Sequence, residues 1–387
     1  MIELIKLKRD NLLKLEQYYT NSMLNDIKLR YDRNKSVSDA NNPFTGLPYI
    51  TIFEDSYGRF DEDLIRALLC KSIIGEKSSF KQINSYIMTG KLVFHSNFLV
   101  DEVLKNSGLP IKKIYREKIR KDYVDKYSND WINSFKLRFP NYYKTSKDFK
   151  KFIKCIEKKL IILNKEISNI VDYNFLTSEI RHYIICNMGV DVCPYCNRQY
   201  ITSYTENEKK KTTADLDHFL PKSLFTFLSL SLFNFIPSCQ ICNSRFKSDR
   251  RIEILYPYED GFGEDARFLV EINSKSNFES LIGSNDFFNL KVDVKSNCKK
   301  KSQIYNNIKM FRINGVYQIH KQHVRELVYK KTAYKNTYKD MLSDLMKSMN
   351  LSNDEIDLFL YGYSLNQDEF YRKPLAKLTH DIIKDIK

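Results

Sequence analysis

The chain has 387 residues, 42 % of them hydrophobic, which is enough for a buried core and excludes a disordered chain. Its formal charge of +15 favours a polyanionic partner, nucleic acid before an anionic membrane, although a lysine-rich genome bias would give the same number. There is no signal-peptide core at the N-terminus and no long uninterrupted apolar stretch, so a cytoplasmic protein with reduced cysteines and no membrane span is expected.

In chain order, residues 1–35 read as helix, with Leu4, Leu12, Leu13 and Leu15 set among Lys, Arg and Glu. Residues 36–58 read as loop, with a turn cluster at 43–48 and a short strand at 49–53. Residues 61–74 predict an amphipathic helix that buries Leu64, Ile65, Leu68 and Leu69 and stops at Gly75. Gly108-Leu109-Pro110 breaks the next helical stretch. Residues 111–160 hold 16 Lys or Arg against 6 Asp or Glu, interleaved with Tyr115, Tyr123, Tyr127, Trp131, Phe135, Tyr142 and Tyr143. That mix could grip a phosphate backbone and stack on bases, or it could be two solvated helices with aromatics turned inward. Phe149, Phe152, Ile153, Ile156, Leu160, Leu163 and Ile167 mark one apolar helix face. Beyond residue 255, alternation predicts strands at 268–272 and 290–294, then a long helix at 320–349. A capping box at 352–355 opens another helix, and the last helix covers 375–386.

The informative stretch is 193–250. Cys193 and Cys196 form one C-x-x-C pair, and Cys239 and Cys242 a second. Each gap lets two thiolates reach one ion from a tight turn, and four thiolates close a tetrahedral structural Zn2+ site. A thioredoxin-like redox reading of the first pair leaves the second unexplained. The remaining cysteines, Cys70, Cys155, Cys186 and Cys298, are expected as small buried hydrophobes.

Between the pairs, residues 213–219 alternate, with Ala214 and Leu216 on one face and Asp215 and Asp217 on the other. They read as a strand whose end presents Asp217 and His218. A carboxylate suits Mg2+, and a neutral imidazole can take a proton from water; phosphodiester hydrolysis needs both. The apolar run 219–236 reads as buried loop or short helix. Asn234 opens a second strand, where its amide could orient the His218 ring or simply form a turn. Asn243 follows Cys242 at a helix start, as a second metal ligand or an N-cap. Lys222, Arg245, Lys247 and Arg250 could contact phosphate.

The pattern Asp217-His218, Asn234 and Cys239-x-x-Cys242-Asn243, preceded by Cys193-x-x-Cys196, resembles the HNH endonuclease family, whose fold is the ββα-metal motif. The forms at 215–222 and 234–247 look most like the HNH nucleases of bacterial antiphage systems of the Septu type, which work beside an ATPase. The resemblance implies Asp217 and Asn243 as ligands of a catalytic Mg2+ or Mn2+, His218 as general base and Asn234 as its orienter. It covers roughly residues 193–250. The expected fold is α+β and mostly helical. It has a mainly helical region at 1–180, a zinc-stapled ββα core at 181–255 and a mixed, then helical, region at 256–387. The expected function is a metal-dependent endonuclease on DNA, or on RNA, in antiphage defence. The alternative is a non-catalytic, zinc-stabilised nucleic-acid-binding or partner-regulated interaction subunit.

Overall fold

The structure, a computed structural model, describes residues 9–71, 81–106, 113–272, 274–334, 336–345 and 352–385. It is α+β and mostly helical. Seven helices come first: α1 (Arg9–Val37), α2 (Glu62–Cys70), α3 (Lys81–Asn106), α4 (Lys113–Lys126), α5 (Asp130–Arg138), α6 (Ser146–Ser168) and α7 (Ser178–Met188). The central stretch carries two antiparallel hairpins, β1 (Ser203–Glu206) with β2 (Lys209–Thr212), and β3 (Asp215–His218) with β4 (Phe235–Ser238). A short π-helix, Ile241–Lys247, follows β4. The third hairpin pairs β5 (Ala266–Glu271) with β6 (Asn289–Val294). Between these last strands lies α8 (Phe278–Leu281). After them come α9 (Lys301–Met310), α10 (Ile313–Val316), α11 (Lys321–Ala333), α12 (Asn336–Leu345), α13 (Asn353–Tyr361) and α14 (Ala376–Asp385). Buried side chains from Leu15 to Ile383 join in one hydrophobic cluster.

Local chemistry explains the helix starts. The Asp61 carboxylate accepts from the Leu64 N–H, Thr145 caps α6, Thr177 caps α7, and Ser352 with Glu355 forms the expected capping box on α13. Three sequence expectations fail here. Residues 49–53 form a 3-10 helix, Tyr49–Phe53, because all but Thr51 are buried and no neighbouring strand is there to pair them. The long helix expected at 320–349 is two, α11 and α12, separated near Tyr334. The helix expected over 61–74 ends earlier, at Cys70, with Lys71 extended, while Gly75 and the break expected at 108–110 lie outside the described residues.

The aromatic stripe of 111–160 belongs to the core. Tyr123, Tyr127, Trp131, Phe135 and Tyr142 are all buried, and Trp131 stacks on Phe44 with centroids 4.8 Å apart. Tyr143 is half-buried and Tyr115 is exposed, and most of the basic residues lie on the solvated side of these helices.

These N-terminal helices grip the loop between β3 and β4, the buried apolar run seen in the sequence. Tyr19 of α1 donates to the Leu230 carbonyl at 2.7 Å. Asn164 of α6 donates to the Leu224 carbonyl at 3.0 Å and accepts from the Tyr86 hydroxyl at 2.6 Å. Gly90 of α3 lies under the Phe225 ring, where any Cβ would overlap it. No described helix is long and apolar enough to cross a membrane.

Candidate metal-binding and catalytic site

The site is built from two knuckles and a hairpin. In the first knuckle the Asn197 N–H donates to the Cys193 carbonyl at 2.8 Å, with Asn197 at φ +49°, a left-handed conformation that Asn tolerates. In the second, the Asn243 N–H donates to the Cys239 carbonyl at 3.0 Å, and the chain passes directly into the π-helix. All four cysteines are buried, and their sulfurs lie within 4.8 Å of one another. Tetrahedral zinc–thiolate geometry sets sulfurs about 3.8 Å apart, so this cluster could hold a structural metal such as zinc. Burial pushes the Cys193 thiol well above its ordinary value, so a thiolate there requires a cation beside it. Of the other cysteines, Cys70, Cys155 and Cys298 are half-buried. Cys186 departs from expectation: it is exposed on α7, 3.7 Å from His182 Nδ1.

The β3–β4 hairpin pairs Asp215 with Ser238, Leu216 with Pro237, Asp217 with Ile236 and His218 with Phe235. The π-helix lies across the face that carries Asp215 and Asp217. Asn243 Nδ2 donates to Asp215 Oδ2 at 3.0 Å. Lys247 Nζ sits 3.0 Å from each oxygen of Asp217 and donates to the His218 carbonyl at 2.7 Å. One helical turn, about 5 Å, thus matches two strand residues, about 7 Å, and makes two polar rungs.

Asp217, which the resemblance implies as a metal ligand, is engaged by protein groups in this structure. It is 5 % exposed, its oxygens are taken by Lys247 and by the Tyr195 hydroxyl at 2.5 Å, and burial raises its pKa against both partners. It serves as the anchor of a buried ion pair, and the half-buried Asp215 is the carboxylate that meets Asn243. Lys247, the partner of Asp217, is one of the residues expected at a phosphate. Only 4 % exposed and held by Asp217, it offers no ammonium to a phosphate on the surface. Arg245 is exposed on the same helix, as expected of a phosphate contact.

His218 is half-buried, and its Nε2 lies 2.9 Å from the Ser229 carbonyl. A carbonyl only accepts, so Nε2 carries the proton and Nδ1 keeps the lone pair. Burial, helped by the nearby cations Lys222, Lys247 and Arg181, lowers the ring pKa to about 4. The ring is neutral at neutral pH and packs between Tyr173 and Phe235, with centroids 5.1 and 5.2 Å away.

Comparison with protein-family models, curated proteins and solved structures finds no match to this chain.

Asn234, the expected orienter of His218, does not touch the ring. Fully buried, its Oδ1 accepts from the Leu220 N–H at 2.8 Å, and its Nδ2 donates to the Leu220 and Leu228 carbonyls at 3.0 Å each. It ties both ends of the loop that carries the Ser229 carbonyl, so its influence on His218 passes through the backbone. Lys222 stands where expected, beside the histidine, with its ammonium 4.1 Å from the Tyr173 ring centroid. The Arg181 guanidinium is 4.9 Å from the same centroid.

Sequence reading missed Tyr173, Arg181, Tyr195, Asp215 and Ser229 as site residues. The alternation had placed Asp215 beside Asp217, a usable signal. Tyr173 and Arg181 come from a 3-10 turn and from α7, both outside the motif, and nothing local marks them.

Proposed function

We propose that the chain is a metal-dependent endonuclease of the HNH type that hydrolyses phosphodiester bonds of DNA. The resemblance adds a setting in bacterial antiphage defence and an ATPase partner. The observation that carries the reading is His218, a neutral imidazole with its proton fixed on Nε2 by Ser229 and no hydrogen bond to its Nδ1 among the described residues. That tautomer leaves an acceptor for a water proton beside the cations Arg181 and Lys222, as a base acting at a phosphate needs.

In this mechanism His218 Nδ1 takes a proton from water. The new imidazolium is held through its Nε2–H bond to the Ser229 carbonyl. Arg181 and Lys222 hold the phosphate, and Tyr173 keeps the two cations apart. Asp215 and Asn243 lie side by side, with Asn243 Nδ2 donating to Asp215 Oδ2, and their remaining side-chain oxygens would hold a Mg2+ or Mn2+ ion. Such an ion supplies charge neutralisation at the phosphate and the leaving oxygen. The four cysteines hold zinc, which sets the start of the π-helix and the position of Tyr195.

Purified protein is expected to nick or linearise plasmid DNA with Mg2+ or Mn2+ and to stop with EDTA. No cutting by folded, zinc-loaded protein that still binds DNA would instead favour the non-catalytic binding module.

The two acids should separate. Asp215→Ala is expected to raise the Mg2+ concentration needed for half-maximal cutting while melting stays near wild type. Asp217→Ala leaves Lys247 buried and unpaired, at a cost of about 3–5 kcal/mol, and is expected to lower the melting temperature. The opposite assignment would return the metal to Asp217.

The pH profile follows from His218. Its folded pKa lies below the ordinary histidine value, so the base form persists as pH falls and is lost only near pH 4. Initial cleavage rates should hold between pH 7 and pH 5 and fall below that. For the same reason, stability linked to this ring is present above about pH 6.5 and disappears as pH drops through 4. A half-maximal rate near pH 6.5 would mean that the ring is not buried as described.

A further inference from the structure

Behind the Asp217–Lys247 pair lies a cavity of about 340 Å³, formed by α3, α4, the residues just after His218, the segment 247–260 and the start of α9. Lys91, Lys126, Lys247, Arg250 and Lys300 line it against Glu253, Glu259 and Asp260, a cationic balance. The acids are largely accounted for. Glu253 accepts from Gln303 at 3.0 Å, and Asp260 pairs with Lys300. Lys126 and Arg250 are exposed at the cavity, and neither makes an ion pair among the described residues.

The remaining walls suit a flat ring. Phe94, Tyr127, Phe219 and Tyr256 all line the cavity, and Phe219 packs on Tyr256 with centroids 4.9 Å apart. His95 is buried at the wall, with Nδ1 2.8 Å from the Tyr127 hydroxyl. Burial lowers its pKa to about 4, so it adds a polar edge without charge.

We propose that this cavity binds a mononucleotide, its ring against the aromatic walls and its phosphate against Lys126 and Arg250. Cations with aromatic faces are the usual equipment for that class of ligand, and the volume lies in the range of small-molecule sites. The cavity reaches the nuclease centre through Lys247, which lines it while holding Asp217.

The test reads binding alone and stands apart from cleavage. The full-length, zinc-loaded protein is titrated calorimetrically with AMP, ATP, GMP and GTP, and with a short single-stranded oligonucleotide. At least one mononucleotide should bind saturably. The double variant Lys126→Glu/Arg250→Glu should weaken it at least tenfold while zinc content and circular dichroism stay unchanged, and Arg245→Glu should leave it unaltered. If the double variant does not fold, Lys126→Gln and Arg250→Gln are titrated singly, each expected to weaken binding severalfold. No saturable binding up to millimolar mononucleotide, or binding indifferent to these changes, overturns the proposal. So does binding of the oligonucleotide with no mononucleotide bound, which would make the cavity part of the substrate path.

Discussion

Replacing His218 by alanine is expected to cut metal-dependent DNA cleavage by about 10²–10⁴-fold, the range for losing a general base. Zinc content, melting and DNA affinity should stay close to wild type, because the ring is half-buried and its one hydrogen bond goes to the Ser229 carbonyl. The loss should fall on kcat rather than KM, since the base acts in the transition state and not in substrate binding. Cleavage of supercoiled plasmid under single-turnover conditions measures it. Retention of activity within tenfold of wild type would mean that another group takes the proton, and Nδ1 would lose its assignment.

The second large effect is expected from Cys239→Ala. With three thiols left, the cluster loses a ligand and most of its hold on the metal, and structural zinc sites contribute on the order of 10 kcal/mol or more of folding free energy. A whole domain is stable by only about 5–15 kcal/mol. The variant should therefore lose zinc, measurable by elemental analysis, and either melt far below wild type or aggregate. Cutting should disappear with it, since the second knuckle starts the π-helix that carries Asn243 and Lys247. Cys186→Ala provides the contrast: its thiol is exposed and outside the cluster, so it should change stability by no more than about 0.5 kcal/mol. A Cys239→Ala protein that stays folded and active would remove the structural role from the cluster.

Much of the central architecture could be read from residue order, because the rules it obeys are local. A C-x-x-C gap fixes a turn whatever surrounds it, and the four cysteines do converge. Alternation at 213–219 fixed which acids share a face, and both Asp215 and Asp217 meet the π-helix. Which acid is sealed in an ion pair could not be read, because it depends on the reach of Lys247 and on a tyrosine 22 residues away in sequence. The orientation of His218 depends on a carbonyl, and every residue carries one, so side-chain identity says nothing about it. The basic, aromatic stretch left two readings open for a similar reason. Composition reports that Tyr and Lys alternate, but packing against Phe44 and the neighbouring helices decides that the rings face inward.

The first knuckle is fastened from far down the chain. The Tyr317 hydroxyl donates to the Cys196 carbonyl at 2.6 Å, across 121 residues of sequence, and Phe311 stacks on Tyr195. Asn197 donates to the Phe370 carbonyl and accepts from the Lys377 N–H with its side chain, and its own carbonyl accepts from the Leu375 N–H. A ribosome that has released residues as far as Arg250 has therefore delivered every reacting group and none of these clasps. The central groups are thus made first and these fastenings last, so a chain cut short after the central stretch carries the four cysteines without the contacts that hold the first knuckle.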